Sequence, residues 1–295
     1  MKITLLGTGT PSPSLKRASS SYLVEIDDDV IVLDHGPGAH QRLLEAGKQA
    51  GEVNYVFLSH LHYDHFLDYP RLVLQRWDMG AGKIPELKVF GPAPIEQISK
   101  LLFAEDGVFG RDIHTRTNHQ GSIDIFEARG GKTPRQRPQP EVLEISKGDI
   151  IKGKTWKLAV GGTSHVQPDL ECLAFRLDTD DCSMCYAGDS GGVCEDVITL
   201  AKNCDVLIVM NHFFSGTEPT DSFRRVCGSH LDNAAVAEKA DVKTLVLSHV
   251  LEQIDQPGIR EKIITDVGKI YKGNIIWGED LMQIPIAGPD LHKLE

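Results

Sequence analysis

In Val53-Asn-Tyr-Val-Phe-Leu-Ser-His60-Leu-His62-Tyr-Asp64-His65, a short apolar run ends in three histidines and an aspartate. Val53 to Phe57 reads as a buried strand. The apolar spacing of Leu67, Leu72, Leu74 and Trp77 predicts a helix over Phe66 to Trp77. Where a strand ends, the backbone can turn and aim His60, His62, Asp64 and His65 at one point. Imidazole suits zinc, and a carboxylate adds a hard oxygen with negative charge. The alternative is a solvated, histidine-rich loop, but the compact spacing favours a metal centre.

Three further segments place a ligand-type residue at a strand end. They are Gly161-Gly-Thr-Ser-His165, Tyr186-Ala-Gly-Asp189 and Leu245-Val-Leu-Ser-His249. Each alone would more often be a core or surface residue. Together with the first segment they supply what a site at one edge of a layered β fold requires.

Strand signals cover Lys2–Leu6, Ser21–Ile26, Val30–Leu33 and Leu87–Phe90 in the first part of the chain. Later ones are Glu141–Ile145, Thr155–Val160, Cys172–Leu177, Ser183–Ala187, Asp205–Met210, Thr244–Leu247, Ile275–Trp277 and Leu281–Ile284. Helices are expected over Ala39–Ala46, from Gly91-Pro92 through Leu102, and over Val193–Ala201, Asp232–Ala240 and Gly258–Tyr271. Residues 103–140 carry few periodic apolar positions and many Gly, Arg and Pro, which predicts a long loop or lid. An α/β architecture of two facing mixed sheets with helices outside accommodates this order. One domain over 1–295 is expected, with a lid-like insertion at about 103–140. No repeat marks the chain.

Composition narrows the function. The 295 residues are 41% hydrophobic and 25% charged, ordinary for a protein with a sizeable core. The formal charge of −11 disfavours broad, non-specific binding to nucleic acid or anionic lipid. One small basic cluster, Arg129, Lys132, Arg135 and Arg137, reads as a solvated loop rather than a phosphate clamp. No apolar run approaches the length of a membrane span, and Met1 leads straight into a strand without a signal-like segment. A cytoplasmic location is expected. Cys182-Ser-Met-Cys185 has no second pair at zinc-finger spacing, so the six cysteines are expected to be reduced thiols. The closing Leu294-Glu295 has the look of a cloning scar and carries no weight.

His60-x-His62-x-Asp64-His65, followed in order by His165, Asp189 and His249, resembles the metallo-β-lactamase superfamily. Leu6-Gly-Thr-Gly-Thr-Pro11, Leu33-Asp34-His35-Gly36 with Gln41, and Tyr186-Ala-Gly-Asp-Ser190 are similar to its ribonuclease Z branch. The resemblance implies an αββα sandwich. It also implies that His60, His62 and His165 hold one metal, that Asp64, His65 and His249 hold the other, and that Asp189 bridges. Two divalent ions are expected, zinc first, with manganese(II) or iron(II) as alternatives. A hydroxide shared between the ions is the expected nucleophile. His230, just ahead of a helix, matches the branch's catalytic histidine and is the expected acid for the leaving group. Asp34 is expected to orient a ligand imidazole, or merely to serve a turn. Asn211 and His212 are expected in a substrate wall.

The branch carries a basic arm for tRNA between its third metal motif and the bridging aspartate. Here only the 23 residues from Val166 to Gly188 lie between His165 and Asp189. The branch's His-Glu pair after the next strand also has no counterpart near Val209-Met210. The expectation is therefore a small-molecule ester substrate, phosphodiesters first, then lactones, aryl sulfates or carbon–halogen bonds, with tRNA disfavoured. A non-catalytic binding protein is the alternative class. A di-iron oxygen-reducing module is disfavoured, since such modules carry Glu where His62 stands and use a flavin partner. A homodimer stays open.

Overall fold

The computed structural model describes residues 1–286; residues 287–295, with Leu294-Glu295 among them, lie outside the described part. Two seven-stranded sheets form the centre. The first holds β1 (Lys2–Gly7), β2 (Ser21–Ile26), β3 (Asp29–Leu33), β4 (Tyr55–Phe57), β5 (Lys88–Gly91), β6 (Glu141–Glu144) and β14 (Gln283–Ile284), in the order β14-β1-β2-β3-β4-β5-β6. The second holds β7 (Ile150–Lys152), β8 (Lys157–Gly162), β9 (Leu173–Asp178), β10 (Ser183–Tyr186), β11 (Val206–Met210), β12 (Thr244–Ser248) and β13 (Asn274–Trp277), in the order β13-β12-β11-β10-β9-β8-β7. Both are mixed: β3 to β6 pair in parallel, as do β10 to β13, while the remaining pairs are antiparallel.

Successive side chains on a strand point to opposite faces, and the burial follows that period. Leu5, Tyr22, Val24, Ile31, Leu33 and Phe57 of the first sheet meet Leu158, Leu173, Phe175, Tyr186 and Ile208 of the second in the layer between the sheets. Their alternates Leu6, Leu23, Val32, Val56 and Leu58 face outward. They are covered by α1 (Ala39–Glu45), α3 (Tyr69–Gly80) and α4 (Ile95–Phe103) through Leu43, Leu72 and Ile95. On the far side Leu207, Val209, Leu245 and Leu247 lie under α7 (Glu195–Leu200), α9 (His230–Ala240) and α10 (Ile259–Ile270). This is the αββα arrangement that the sequence suggested.

Five local features differ from expectation. The helix expected from Phe66 is two: a single turn α2 (Tyr63–Phe66), then α3, with Pro70 in its first turn. Strand β7 and the one-turn helix α8 (Asp221–Arg224) were not foreseen. Helix α9 begins at His230 rather than Asp232. Residues 103–140 are not a bare loop but carry α5 (Gly110–Asn118) and α6 (Gln120–Ala128). Beyond Gly110, α5 buries only Ile113, and α6 only Phe126, so neither shows a helical apolar stripe in sequence. The segment rests on the C-terminal half of α3, where Arg116, Arg129 and Arg135 all reach Asp78. Among the described residues, no helix is long and apolar enough to cross a membrane, and all six cysteines are free.

Candidate metal centre

All seven suspected ligands converge at one edge of the two sheets. His60 and His62 follow β4, and Asp64 and His65 lie on α2, so the first sheet supplies four. His165 follows β8, Asp189 follows β10 and His249 directly follows β12, so the second sheet supplies three. The donor atoms fall into overlapping groups, each within 4.8 Å: His60, His62 and His165; His60, His65 and Asp189; Asp64, His65 and His249.

The nitrogens used differ. His62 Nδ1 lies 3.0 Å from His60 Nε2 and 3.3 Å from His165 Nε2. Asp64 Oδ2 lies 3.3 Å from His249 Nε2 and 3.5 Å from His65 Nε2. One oxygen stands between the two groups. Asp189 Oδ2 is 3.4 Å from His249, 3.5 Å from His65, 3.8 Å from His165 and 4.0 Å from His60. Buried Nε2 of His65 and buried Oδ1 of Asp189 have no hydrogen-bond partner. Buried polar atoms without partners are rare and call for an ion or water. A nitrogen-rich set with two carboxylates fits a borderline divalent cation such as zinc.

The outer ring nitrogens are tied to the fold, which turns the inner ones toward the cluster. His65 Nδ1 donates to Asp34 Oδ2 at 2.8 Å, and His165 Nδ1 donates to the Val226 carbonyl at 2.6 Å. His60 Nδ1 lies 3.0 Å from Ser59 Oγ. Asp34 also accepts from the Ser59 amide at 2.6 Å, the Ser59 hydroxyl at 2.7 Å and the Tyr186 hydroxyl at 2.6 Å. Gly36 is required by close approach: a Cβ there would sit 1.9 Å from the Asp64 carbonyl oxygen.

The charge pattern is consistent with metal ligation. Burial, then the neighbouring His65, hold the His60 imidazole well below its ordinary pKa, so it stays neutral. Burial pushes Asp189 up, but the surrounding imidazoles, His249 and His65 first, outweigh it and hold the carboxyl well below its usual range.

The other expected residues are placed unevenly. Asp34 is wholly buried behind His65 and is more than a turn residue, although it does adopt a left-handed φ of 56°. His212 stands beside the cluster, its Nδ1 3.4 Å from His249 Nδ1, and it is half-buried. Asn211 is fully buried, with Oδ1 accepting from Asn233 and Nδ2 without a partner. His230 is not brought to the cluster. Its Nδ1 accepts from the Ser215 amide at 3.0 Å and its Nε2 faces Asp266 of α10 at 3.9 Å, because it begins α9 and its ring turns toward α10. Ser59 and Tyr186 also contribute, and neither role is readable from the chain alone. Their link to Asp34 spans 25 and 152 positions, and no local pattern signals it.

The family described as the metallo-β-lactamase superfamily matches residues 15–249. The chain belongs to that superfamily. Ribonuclease Z of Mycobacterium sp. (strain KMS) is 29% identical over 292 residues, covering 97% of this chain and 96% of that protein. The metallo-β-lactamase fold protein YhfI from Bacillus subtilis superposes with a TM-score of 0.73 at 18% identity, over 96% of this chain and 99% of that one. Human tRNase Z, short form, superposes with a TM-score of 0.68 at 18% identity, over 97% and 100%. As a member of the superfamily the chain is a metal-dependent hydrolase, ribonuclease Z-like in sequence.

Proposed function

We propose that the centre holds two divalent ions, zinc first, and that the protein hydrolyses phosphodiesters. The observation that carries this reading is the position of Asp189 Oδ2, within 4.0 Å of imidazoles from both ligand groups. In this reading His60, His62 and His165 would hold one ion and Asp64, His65 and His249 the other, with Asp189 serving both. Ions bound there supply a water acidic enough to ionise near neutral pH and positive charge for the developing oxyanion. Asp34 fixes the ring of His65. Two carboxylates offset only part of the charge of two divalent ions, which favours an anionic reacting centre.

A small ester is the first substrate. An RNA phosphodiester is the second reading, supported by full-length similarity to a protein named ribonuclease Z. That relative matches over 96% of its own length, so chain length does not separate the two proteins. The deciding experiment is hydrolysis by zinc-loaded protein of bis(p-nitrophenyl) phosphate, an aryl sulfate, an aryl lactone and a tRNA precursor with a 3′ trailer. Cleavage of a sulfate or lactone faster than either phosphodiester would overturn the proposal.

We assign the proton for the leaving group to His212 rather than His230, because His212 packs beside the outer nitrogen of His249 whereas His230 faces Asp266. His212→Ala is expected to retain metal and lower kcat by about 10²-fold with a poor leaving group, and much less with p-nitrophenolate. His230→Ala, measured alongside, should stay within a few-fold of the parent. The reverse ranking would return the role to His230.

A further inference from the structure

The basic cluster expected to be a solvated loop is built instead into a pocket. Trp77 of α3, Phe126 of α6 and parts of the stretch 130–137 enclose a cavity of about 360 Å³. Its inner wall is Arg135, whose side chain is only 3% exposed. The guanidinium lies 4.0 Å from the Trp77 ring centroid and 4.9 Å from that of Phe126, within the range of cation–π attraction. Its Nη2 donates to Asp78 at 2.7 Å, and its Nε has no partner.

Positive charge there exceeds what the fold neutralises. Asp78 is shared by Arg135, Arg129 at 3.1 Å and Arg116 at 3.3 Å; only Arg116 has a further carboxylate, Asp112. Among the described residues, the other cations lining the cavity have no acidic partner within ion-pair distance. Lys83 donates to the Arg129 carbonyl at 2.6 Å and Arg137 to the Phe103 carbonyl at 2.8 Å. Lys132 is exposed. Glu86 is the one carboxylate in the lining, and Glu127, nearby, is engaged by Thr133. In a chain of net charge −11 this is a local reversal of sign. Guanidinium and ammonium groups converging on a concave site match phosphoryl oxygens.

The pocket lies at the far end of α3 from the metal ligands. An apolar groove of about 630 Å³, lined by Leu67, Leu74 and Phe109, runs along that helix and shares Trp77 with the pocket. We propose that the pocket is a second ligand site, distinct from the metal centre, that takes a diphosphate or similarly multivalent phosphoryl anion.

The test is calorimetric titration of chelator-stripped full-length protein at low salt, so that no metal contributes to anion binding. Inorganic pyrophosphate and adenosine 5′-diphosphate are the two probes. One equivalent should bind, and Lys83→Ala/Lys132→Ala should weaken it about tenfold or more. Both lysines are exposed, so the fold is retained. Glu86→Gln should tighten binding several-fold by removing the opposing charge. Equal affinity for the two probes would mean that the diphosphate alone is recognised, and tighter binding of the nucleotide that its nucleoside is also held. No binding of either probe, or affinity unchanged in the double variant, would overturn the site.

Discussion

Asp189→Ala should leave a folded protein that binds no more than one equivalent of zinc and has lost at least about 10³-fold of its activity. The size follows from position. Asp189 Oδ2 is the donor that faces both ligand groups, so its removal opens both coordination shells at once. It also leaves five buried or half-buried imidazoles and a cationic load to the single carboxylate of Asp64. Asp189→Asn tests charge apart from shape: it keeps the volume and should still lose the second equivalent. Metal content by elemental analysis and turnover on bis(p-nitrophenyl) phosphate are the readouts. Two equivalents retained in Asp189→Ala would refute the bridging role.

Asp34→Ala should weaken metal binding about 10- to 100-fold, although Asp34 is not itself placed to ligate. Its carboxylate accepts from the Ser59 amide and hydroxyl, from His65 Nδ1 and from Tyr186, all in the core. Deletion leaves buried donors without acceptors, each costing roughly 1–3 kcal/mol. The thermal midpoint should therefore fall together with metal affinity. Tyr186→Phe separates these effects, because it removes one donor while leaving the bond to His65. It should lower stability modestly and change metal affinity little. An Asp34→Ala protein with parental zinc affinity would show that the ring of His65 is set by packing alone.

The centre was legible in sequence because its chemistry is local at each site: a ligand-type residue directly after a strand. His60, His62, Asp64 and His65 lie within six residues, and His165, Asp189 and His249 each follow a short apolar run that reads as a buried strand. The strands were legible for the same reason. What escaped detection is what depends on contacts far apart in sequence. The partners of Asp34 lie on β10, on α2 and just before it, and the His230 ring is held by the Ser215 amide and faces α10. Helices α5 and α6 escaped because each is anchored chiefly by one apolar side chain, Ile113 or Phe126, and by arginines on Asp78. The same arginines look solvated in a linear reading. Only folding shows Arg135 inserted beside Trp77.

The division of donors between the layers has a consequence for assembly. Every donor group draws on both sheets, and a nascent chain ending before residue 189 lacks Asp189 and His249, so it offers an ion only a partial, weak grip. High-affinity uptake must await long-range docking, and metal held there would then act as a rivet, drawing stability from the cell's free metal by mass action.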